Sequence, residues 1–332
     1  MREIGSEFWD VPVTNQQTNL FPEFTQWYLS GRSALQAIIA ELGAVRNVSL
    51  PSWCCDSMIK PFADAGFSID FYPVFFEDGK LVQEVAMDSD VLFLMDYFGY
   101  VSSNPDLSGY KGIVIRDITH SIFSITYSDA DYYFGSLRKW CGVWTGGYAW
   151  TREGHGLHTE ASDDSKYVLL REKAMQQKAE YINGQRGDKC YLKIFDEAEE
   201  LLESVGSIAA AVRDVEIAKK IDIETIKRRR RINAEVIRSA FPDWLIFPDL
   251  SPTDVPMFVP VLIPDGRRDE LRRFLIKNEI YCPIHWPVSE YHRLDEKTIY
   301  IYQNELSLVC DQRYTEDDMA RMVETIKLFM ED

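Results

Sequence analysis

The sequence predicts an α/β protein in which a large domain with a mostly parallel sheet precedes a smaller α+β domain. One observation is the order strand, helix, strand over residues 47–74, which is the unit of a parallel sheet. Another is a pair of continuous apolar runs at 90–96 and 112–117, which are typical of strands buried on both faces. A third is the final third of the chain, where short strand patterns alternate with helical ones. We therefore predict a large domain over residues 1–220, including an N-terminal arm, and a small domain over residues 221–332.

The composition is that of an ordinary globular protein with an acidic surface. Of the 332 residues, 46% are hydrophobic and 27% are charged, and the formal net charge is −17. Such an excess of carboxylates repels nucleic acid and anionic membranes, so we expect neither as a partner. The apolar runs are shorter than the roughly 20 residues that a membrane-spanning helix requires.

The first residues and the cysteines indicate the compartment. Residues 1–9 lack the apolar core of a signal peptide, so we expect a cytoplasmic protein. The six cysteines form no Cys-x-x-Cys pair, which predicts reduced thiols with neither a disulfide framework nor a metal site. Residues 1–30 carry scattered aromatic side chains, and we interpret them as an arm that packs on the body of the protein or on a second subunit.

A helix is predicted to begin near Arg32 and to end at Gly43. Its apolar residues follow one another at spacings of three and four and form one stripe: Leu35, Ile38, Ile39 and Leu42. The start of this helix offers free backbone N–H groups, the Arg32 guanidinium and the Ser33 hydroxyl, which together suit a phosphate group. An ordinary capped helix has the same pattern, so both interpretations stay open.

Three residues at predicted strand ends are candidates for a ligand site. Asp96 and Asp117 close the two apolar strands, and the carboxyl ends of parallel strands are where ligands of open α/β folds lie. Trp53 follows an earlier strand at the same edge and could stack on a planar ring. The alternatives are that the aspartates are plain loop caps and that Trp53 is a core residue.

The stretch at 131–150 contains the lysine around which the site is predicted to form. Lys139 is surrounded in sequence by the aromatic residues Tyr133, Phe134, Trp140 and Trp144. Such surroundings lower the pKa of a lysine, because a desolvated ammonium is costly. The free amine that results is the form that condenses with an aldehyde. The alternative is a solvated surface pair of Lys139 with Arg138.

The rest of the chain is predicted to be helical and charged to about residue 220 and mixed thereafter. A helix at 221–240 contains the basic run 227–231, which we interpret as a solvated or ion-paired face rather than a nucleic-acid patch, because acidic segments surround it. The other predicted elements are helices at 195–205, 265–278 and 315–330 and strands at 255–263, 281–285 and 305–310.

Motifs along almost the whole chain resemble those of one enzyme family. In sequence order they are GRSAL (31–35), LP (50–51), DITH (117–120), GSLRKW (135–140) with TGG (145–147), RRRIN (229–233), HWP (285–287) and LSLVCD (306–311). Each motif alone is weak evidence, and the resemblance rests on the motifs occurring together in this order. The chain resembles the fold-type-I pyridoxal-phosphate enzymes and, within them, the DegT/DnrJ/EryC1/StrS group of sugar aminotransferases. This implies a seven-stranded, mostly parallel sheet in the large domain and pyridoxal 5'-phosphate as the cofactor.

The resemblance gives catalytic roles to residues of two motifs. It implies that Lys139 bonds to the aldehyde of the cofactor and, once an amino donor has displaced it, moves a proton between the donor and the cofactor. It implies that Asp117 faces the pyridine nitrogen and holds it protonated. His120 takes the place where the family has a glutamine or a histidine near the phenolic oxygen of the ring.

Other residues are implied to bind the cofactor. Arg32, Ser33 and Ser136 correspond to positions that hold the phosphate. Trp53 is the candidate for the residue that stacks on the ring, and Cys55 fits that position nearly as well by counting. The cofactor-binding set predicted by the resemblance therefore comes from four separate segments of the chain.

The implied activity is that of a pyridoxal-phosphate-dependent aminotransferase, a homodimer with active sites at the subunit interface. It moves an amino group from an amino-acid donor, expected to be glutamate, to a keto group of a nucleotide-linked sugar. The alternatives are a sugar dehydratase or lyase with the same cofactor, and a binding or regulatory protein without turnover. Dehydratases of this group commonly replace the lysine by histidine, so Lys139 favours transamination. The chain departs from the family pattern at two places. Many members have a serine where this chain has Phe134, and many have a histidine where it has Asp96 or Tyr97.

Overall fold

A computed structural model describes residues 3–101, 104–124, 129–161, 165–203 and 205–331. Its helices in chain order are α1 (Gly31–Glu41), α2 (Asp56–Asp64), α3 (Ser165–Ile182), α4 (Tyr191–Leu201), α5 (Val212–Ala218), α6 (Ile223–Ala240), α7 (Arg268–Lys277), α8 (Glu296–Asn304) and α9 (Glu316–Glu331). Its strands are β1 (Ile4–Gly5), β2 (Gln26–Tyr28), β3 (Asn47–Pro51), β4 (Ser68–Tyr72), β5 (Val74–Glu77), β6 (Lys80–Gln83), β7 (Val91–Met95), β8 (Ile113–Asp117), β9 (Tyr132–Ser136), β10 (Gly147–Thr151), β11 (Val259–Leu262), β12 (Ile280–Tyr281) and β13 (Glu305–Leu308).

The main sheet has seven strands in the order β2-β10-β9-β8-β7-β3-β4. The five strands from β9 to β4 are parallel to one another, and β10 runs antiparallel to both β9 and β2. β7 is buried along its whole length, as its unbroken apolar sequence requires of an interior strand with both faces covered. The prediction of an α/β fold with a seven-stranded, mostly parallel sheet is confirmed.

The carboxyl ends of the parallel strands lie at one edge of the sheet and place the candidate residues there. β8 ends at Asp117 and β9 ends at Ser136, and these two strands are hydrogen-bonded neighbours. β9 leads directly into a one-turn 3-10 helix that ends at Lys139. The aspartate and the lysine of two separate motifs therefore come to the same edge, which is where open α/β sheets bind ligands.

Close packing of α1 on the sheet depends on a glycine in β10. A β-carbon at Gly147 would lie 2.0 Å from the carbonyl oxygen of Ser30, the residue that caps α1. Only a residue without a side chain lets the two backbones approach this closely. The close spacing between β10 and the start of α1 thus depends on a glycine of the TGG motif that follows Lys139.

A second hydrophobic core lies in the C-terminal part of the chain. It is formed around the antiparallel pair β11 and β13 and the helices α6, α7 and α9. α6 contributes Ile226 to the core of the main sheet and Ile237 to the second core, so this helix joins the two. The division into domains at 1–220 and 221–332 stays a prediction.

The N-terminal arm packs on the body of the same chain. β1 pairs with β12 in the C-terminal part, whereas β2 is an edge strand of the main sheet. Arg313 donates to the carbonyls of Glu7 at 2.9 Å and Ser6 at 3.1 Å and lies over the ring of Phe8. The arm therefore crosses from the second core to the main sheet.

The arginine run of α6 is only in part a solvated or ion-paired face. Arg229 pairs with Glu316 at 2.9 Å, as predicted. Arg230, in contrast, is buried, donates to Gln312 at 2.7 Å and to the Met257 carbonyl at 2.8 Å, and covers the ring of Trp140. The buried guanidinium of Arg230 therefore joins α6 to the core of the main sheet.

Several elements differ from the predicted ones. The predicted helix at 195–205 is α4, which ends at Leu201, and the predicted strands at 255–263 and 281–285 are shorter. The β5–β6 hairpin was not predicted, although Asp78 and Gly79 at its turn both have positive φ, as an Asp-Gly hairpin turn requires.

None of the described helices is long and apolar enough to cross a membrane. Predicted residues outside the described ranges are 1–2, 163–164, 204 and 332.

Candidate active site

Two cavities meet at the edge of the sheet where β8 and β9 end. The smaller cavity has a volume of about 260 Å³ and lies between the starts of α1 and α2 and the ends of the two strands. The larger cavity has a volume of about 570 Å³ and lies between the N-terminal arm, α4 and the C-terminal part. The residues that line both are His120, Arg138, Lys139, Glu199 and Trp286. Lys139 therefore stands at the junction of two spaces.

Lys139 presents an unpaired amine to these cavities. Its side chain is exposed, and Nζ makes no hydrogen bond or ion pair with the described residues. The cavity walls lower the pKa of Lys139, because they solvate an ammonium less well than bulk water does, and Arg138 lowers it further. Arg138 itself is largely buried and pairs with Glu199 of α4, so the two basic residues do not form a solvated surface pair.

Of the two aspartates at strand ends, Asp117 reaches the smaller cavity and Asp96 does not. The Oδ1 atom of Asp117 accepts the backbone N–H of Thr119 at 2.8 Å, and burial raises the pKa of this carboxyl to about 6. Asp96 lies 3.4 Å from Arg116 and accepts the hydroxyl of Ser121. Asp96 thus neutralises a buried cation within the sheet, and Asp117 is the carboxylate of the site.

His120 has a defined tautomer. Its Nδ1 accepts a hydrogen bond from the backbone N–H of Phe98 at 3.4 Å, and burial together with Lys139 lowers the pKa of the ring to about 3. The ring is therefore neutral near pH 7 and carries its proton on Nε2. Because the ring lines both cavities, Nε2–H is available to an oxygen atom placed in either of them.

The start of α1 faces the smaller cavity. Ser30 caps this helix, and its Oγ accepts the N–H of Ser33 at 3.1 Å. Arg32 donates from Nη1 to the Leu202 carbonyl at 2.9 Å, while its buried Nε has no hydrogen-bond partner among the described residues. Ser136 lines the same cavity from the end of β9. An anion here would meet a helix N-terminus, an unpaired N–H and a hydroxyl.

Ser33 does not line the cavity, contrary to the prediction. Its side chain is almost fully buried, and its hydroxyl lies 3.2 Å from Oγ of Ser30. Because α1 begins at Gly31, Ser33 falls on the face of the first turn that packs inward, where its hydroxyl belongs to the cap. Ser30 takes its place at the cavity, together with Ser57 at the start of α2.

The ring of Trp53 does not reach either cavity, which corrects its predicted stacking role. It is fully buried, stacks on Tyr97 with ring centroids 4.9 Å apart, and donates from Nε1 to the His285 carbonyl at 2.5 Å. The core interpretation that the sequence left open is therefore the one found. Cys55, the alternative, lines the smaller cavity at the start of α2.

Several residues that line the cavities, or that pair with residues that do, were not among the predicted ones. Trp286 lines both cavities, and its HWP motif was a signal without an assigned role. Glu7, Arg171 and Glu199 form an ion-paired group, in which Arg171 lies 3.5 Å from each carboxylate. These three residues follow no local pattern, since they meet only when the arm, α3 and α4 pack together. The described residues contain no cluster of three or more His, Cys, Asp or Glu side chains that could hold a metal ion.

The sequence matches no protein-family model and no curated protein, but solved structures share its fold. PseC from Helicobacter pylori, an aminotransferase involved in the biosynthesis of pseudoaminic acid, has a TM-score of 0.63 at 13% identity, over 97% of this chain and 98% of that one. Spr1654 from Streptococcus pneumoniae, a candidate sugar aminotransferase solved in a PMP form, has a TM-score of 0.62 at 13% identity, over 96% and 91%.

A third similar structure is a DegT DnrJ EryC1 StrS aminotransferase from Brucella abortus. It has a TM-score of 0.57 at 12% identity, over 92% of this chain and 85% of that one. At such identities the likeness establishes the fold, and it extends over nearly the whole length of each chain. The chain therefore has the fold that its motifs predicted, fold type I of the pyridoxal-phosphate enzymes, as it occurs in the DegT/DnrJ/EryC1/StrS sugar aminotransferases.

Proposed function

We propose that the protein is a pyridoxal-phosphate-dependent aminotransferase that moves an amino group from an amino-acid donor to a keto group of a nucleotide-linked sugar. The observation that carries this proposal is the unpaired amine of Lys139, which shares one cavity with the buried carboxylate of Asp117 and opens onto a second. Support comes from structures of the same fold that are named aminotransferases and from one that was solved in a PLP form. Glutamate is the donor to test first.

The residues around the smaller cavity fit this cofactor. A phosphate fits the start of α1, where Arg32 has a buried Nε–H without a partner and Ser136 adds a hydroxyl. The remaining wall offers the Asp117 carboxylate to a ring nitrogen, the Nε2–H of His120 to a ring oxygen and the Lys139 amine to an aldehyde. When bound, pyridoxal phosphate supplies an aldehyde that bonds to an amine and a ring that withdraws electrons from the carbon being deprotonated.

The protonation and charge of each of these side chains suit its proposed role. The lowered pKa of Lys139 keeps its amine able to accept a proton from the donor carbon and to return it at the next step. The Asp117 carboxylate, held by Thr119, stabilises a positive charge on the ring nitrogen in a site where few water molecules compete. His120, neutral near pH 7, donates a hydrogen bond without adding charge.

The larger cavity is the place for the substrates. Two of the arginines in its wall are already paired, Arg138 with Glu199 and Arg313 with Asp311. Arg272 of α7 donates to the Cys282 carbonyl and has no carboxylate partner among the described residues. An unpaired guanidinium suits the phosphates of a nucleotide-linked sugar, because it can donate two parallel hydrogen bonds.

We also propose a homodimer with shared active sites, on the family resemblance. The measurement is gel filtration at low micromolar concentration, where we expect a single species of twice the chain mass. A clean monomer at that concentration would contradict the dimer and leave the proposed chemistry to be tested by absorbance.

The test of the activity is the absorbance of the purified protein with added pyridoxal phosphate, before and after glutamate. We expect a visible band of lysine-bound cofactor that bleaches with glutamate as the cofactor takes up the amino group. A band that ignores glutamate points to another donor or to the dehydratase or lyase alternative. The absence of any band contradicts the cofactor assignment.

The matching variant is Lys139→Ala, for which we expect no lysine-bound band and no turnover. The control is Lys60→Ala, which removes a partly exposed lysine of α2 that pairs with Asp64 at 3.1 Å and should leave the band unchanged. If Lys139→Ala keeps the band, Lys139 is not the residue that bonds to the cofactor.

A further inference from the structure

Three side chains of the C-terminal part form a hydrogen-bonded chain that ends at the larger cavity. The Oγ of Ser307 lies 2.8 Å from Nδ1 of His285 and donates to Oε1 of Glu305 at 2.6 Å. The other carboxylate oxygen, Oε2, accepts the backbone N–H of His285 at 2.7 Å. Glu305 and Ser307 are fully buried on β13, whereas His285 lines the cavity. A buried carboxyl group is thereby linked to a ring that faces the substrate space.

The other ring nitrogen of His285 is open to that space. Nε2 makes no hydrogen bond within the described residues and is accessible from the cavity. The rings of Phe98, Phe258 and Trp286 surround the imidazole, each with its centroid 5.1 Å away, and hold its orientation. Burial keeps the pKa of His285 well below its usual range, so the ring is neutral and its tautomer decides what Nε2 can do.

The protonation state of Glu305 determines this tautomer. Ser307 has one hydroxyl hydrogen, and when Glu305 is ionised that hydrogen points to Oε1, so that the oxygen accepts Nδ1–H of His285 and Nε2 is bare. When Oε1 carries a proton, Glu305 donates to Ser307, whose own hydrogen turns to Nδ1, and Nε2 then carries the ring proton. Oε2 takes no part, because it accepts the backbone N–H of His285 in both states.

We propose that His285 is a further acid–base residue of this site, which acts on the substrate in the larger cavity, and that Glu305 sets its tautomer through Ser307. For the identity of the substrate the proposal rests on the proposed function, in which the amino donor arrives as an ammonium ion and must lose a proton before its nitrogen can attack. Glu305 and Ser307 are positioning residues, since neither faces the cavity.

The proton transfer is balanced along this chain. Nε2 of His285 takes a proton from the ammonium of the donor, Nδ1–H passes its proton to the Ser307 oxygen, and the former hydroxyl proton of Ser307 passes to Oε1 of Glu305. One N–H bond of the donor is broken and one O–H bond is formed at Glu305. The donor changes from a cation to a neutral amine while the carboxylate becomes a neutral acid, so net charge is unchanged.

The variant Glu305→Gln tests the relay without any cofactor. The amide oxygen must accept the backbone N–H of His285, so the amide NH₂ faces Ser307 and donates to it, which fixes His285 with its proton on Nε2. His120 and Lys139, which also face the ring, and Arg268, which faces Glu305, are unchanged in this variant.

The measurement is nitrogen-15 NMR of the purified protein with labelled histidines, because protonated and bare ring nitrogens have separate shifts. The His285 signals are those that His285→Asn lacks. In the wild type we expect the proton to move from Nε2 to Nδ1 as the pH rises through the pKa of Glu305, which burial raises to about 8. Glu305→Gln should keep Nε2–H at every pH. A wild-type tautomer that never changes, or a change that persists in the variant, overturns the proposal.

If Glu305→Gln does not fold, Ser307→Ala takes its place. Removing the hydroxyl disconnects Nδ1 from the carboxyl, so the pH-dependent change of tautomer should disappear. A change that persists without this hydroxyl contradicts the relay as directly as it would in the glutamine variant.

The catalytic part is tested by the rate of the reaction with glutamate in single turnover. His285→Asn should keep the band of lysine-bound cofactor and lose about 100-fold in rate, the usual contribution of a general acid or base. The wild-type rate should rise with pH through the Glu305 pKa, and Glu305→Gln should lack this rise. A band with an unchanged rate in His285→Asn overturns the role of His285. A wild type without a band contradicts the proposed function instead, and the NMR result then decides the relay alone.

Discussion

The two cavities that meet at Lys139 are built in different ways. The smaller one is formed by strand ends and helix starts of the main sheet, and its polar groups are held by near neighbours in sequence, such as Asp117 by the N–H of Thr119 and Ser30 by the N–H of Ser33. The larger one is closed by contacts across the chain, such as that of Arg313 with the Glu7 carbonyl. We infer that the smaller cavity determines the chemistry and the larger one tunes it and selects the substrate.

The sharpest test of this difference is Asp117→Asn. The variant keeps an oxygen for the N–H of Thr119 and removes the negative charge from the smaller cavity, so we expect the reaction with glutamate to slow by about 10²- to 10³-fold, the usual effect of losing one preorganised electrostatic group. The measurement is the single-turnover rate after the cofactor has been bound. Normal cofactor binding with slow turnover is the expected combination.

The matched control for that variant is Asp96→Asn. Asp96 directly follows the neighbouring strand β7 but pairs with Arg116 inside the sheet, so its loss should lower the free energy of unfolding by about 1–3 kcal/mol and leave the rate of the folded protein unchanged. Equal slowing by the two variants would contradict the assignment of Asp117 to the site.

The second test concerns the backbone that supports the smaller cavity. Gly147→Ala places a carbon 2.0 Å from the Ser30 carbonyl, so β10 and the start of α1 must move apart. We expect a loss of about 1–3 kcal/mol in the free energy of unfolding, as for overpacked sites, and weaker binding of the cofactor phosphate. Urea unfolding and a cofactor titration measure the two effects.

Gly187→Ala is the control for this prediction. A β-carbon at Gly187 meets no atom within 4 Å, so the free energy of unfolding should change by less than about 0.5 kcal/mol. If Gly147→Ala is as stable as this control and binds the cofactor equally well, the spacing of β10 and α1 does not support the cavity.

The same difference explains which site residues the sequence could reveal. Lys139, Asp117 and His120 stand beside the ends of parallel strands, and such ends must share one edge of a sheet, so local patterns were enough to bring them together. Glu7 and Arg171 belong to the arm and α3, whose meeting depends on the packing of whole elements. No spacing in the sequence encodes that contact.

Two of the predicted cofactor residues show where local patterns lose precision. The choice between Trp53 and Cys55 depended on which of two residues just after β3 turns inward, and neither period nor propensity fixes this once the strand has ended at Pro51. Ser33 was assigned to the cavity from a helix start near Arg32, but α1 begins at Gly31 and its first turn carries Ser33 into the core. An error of one residue in the predicted start of a helix therefore decides whether a serine is expected to bind a ligand or to belong to the helix cap.

The smallest of the expected effects lies in the larger cavity, at Glu7. Its carboxylate raises the pKa of Lys139 against the lowering by the cavity walls and Arg138, so Glu7→Gln should lower that pKa. The free amine attacks the aldehyde, and the rate of cofactor attachment therefore rises with pH through the Lys139 pKa; in Glu7→Gln this rise should move to lower pH. The shift should be modest, because the Glu7 side chain is 42% exposed and water screens its charge.

The control variant is Glu200→Gln. It removes an exposed carboxylate of α4 that has no ion pair among the described residues, and it should leave the pH profile in place. A rise that stays in place in Glu7→Gln, or that moves equally in Glu200→Gln, would mean that the arm closes the larger cavity without tuning the lysine.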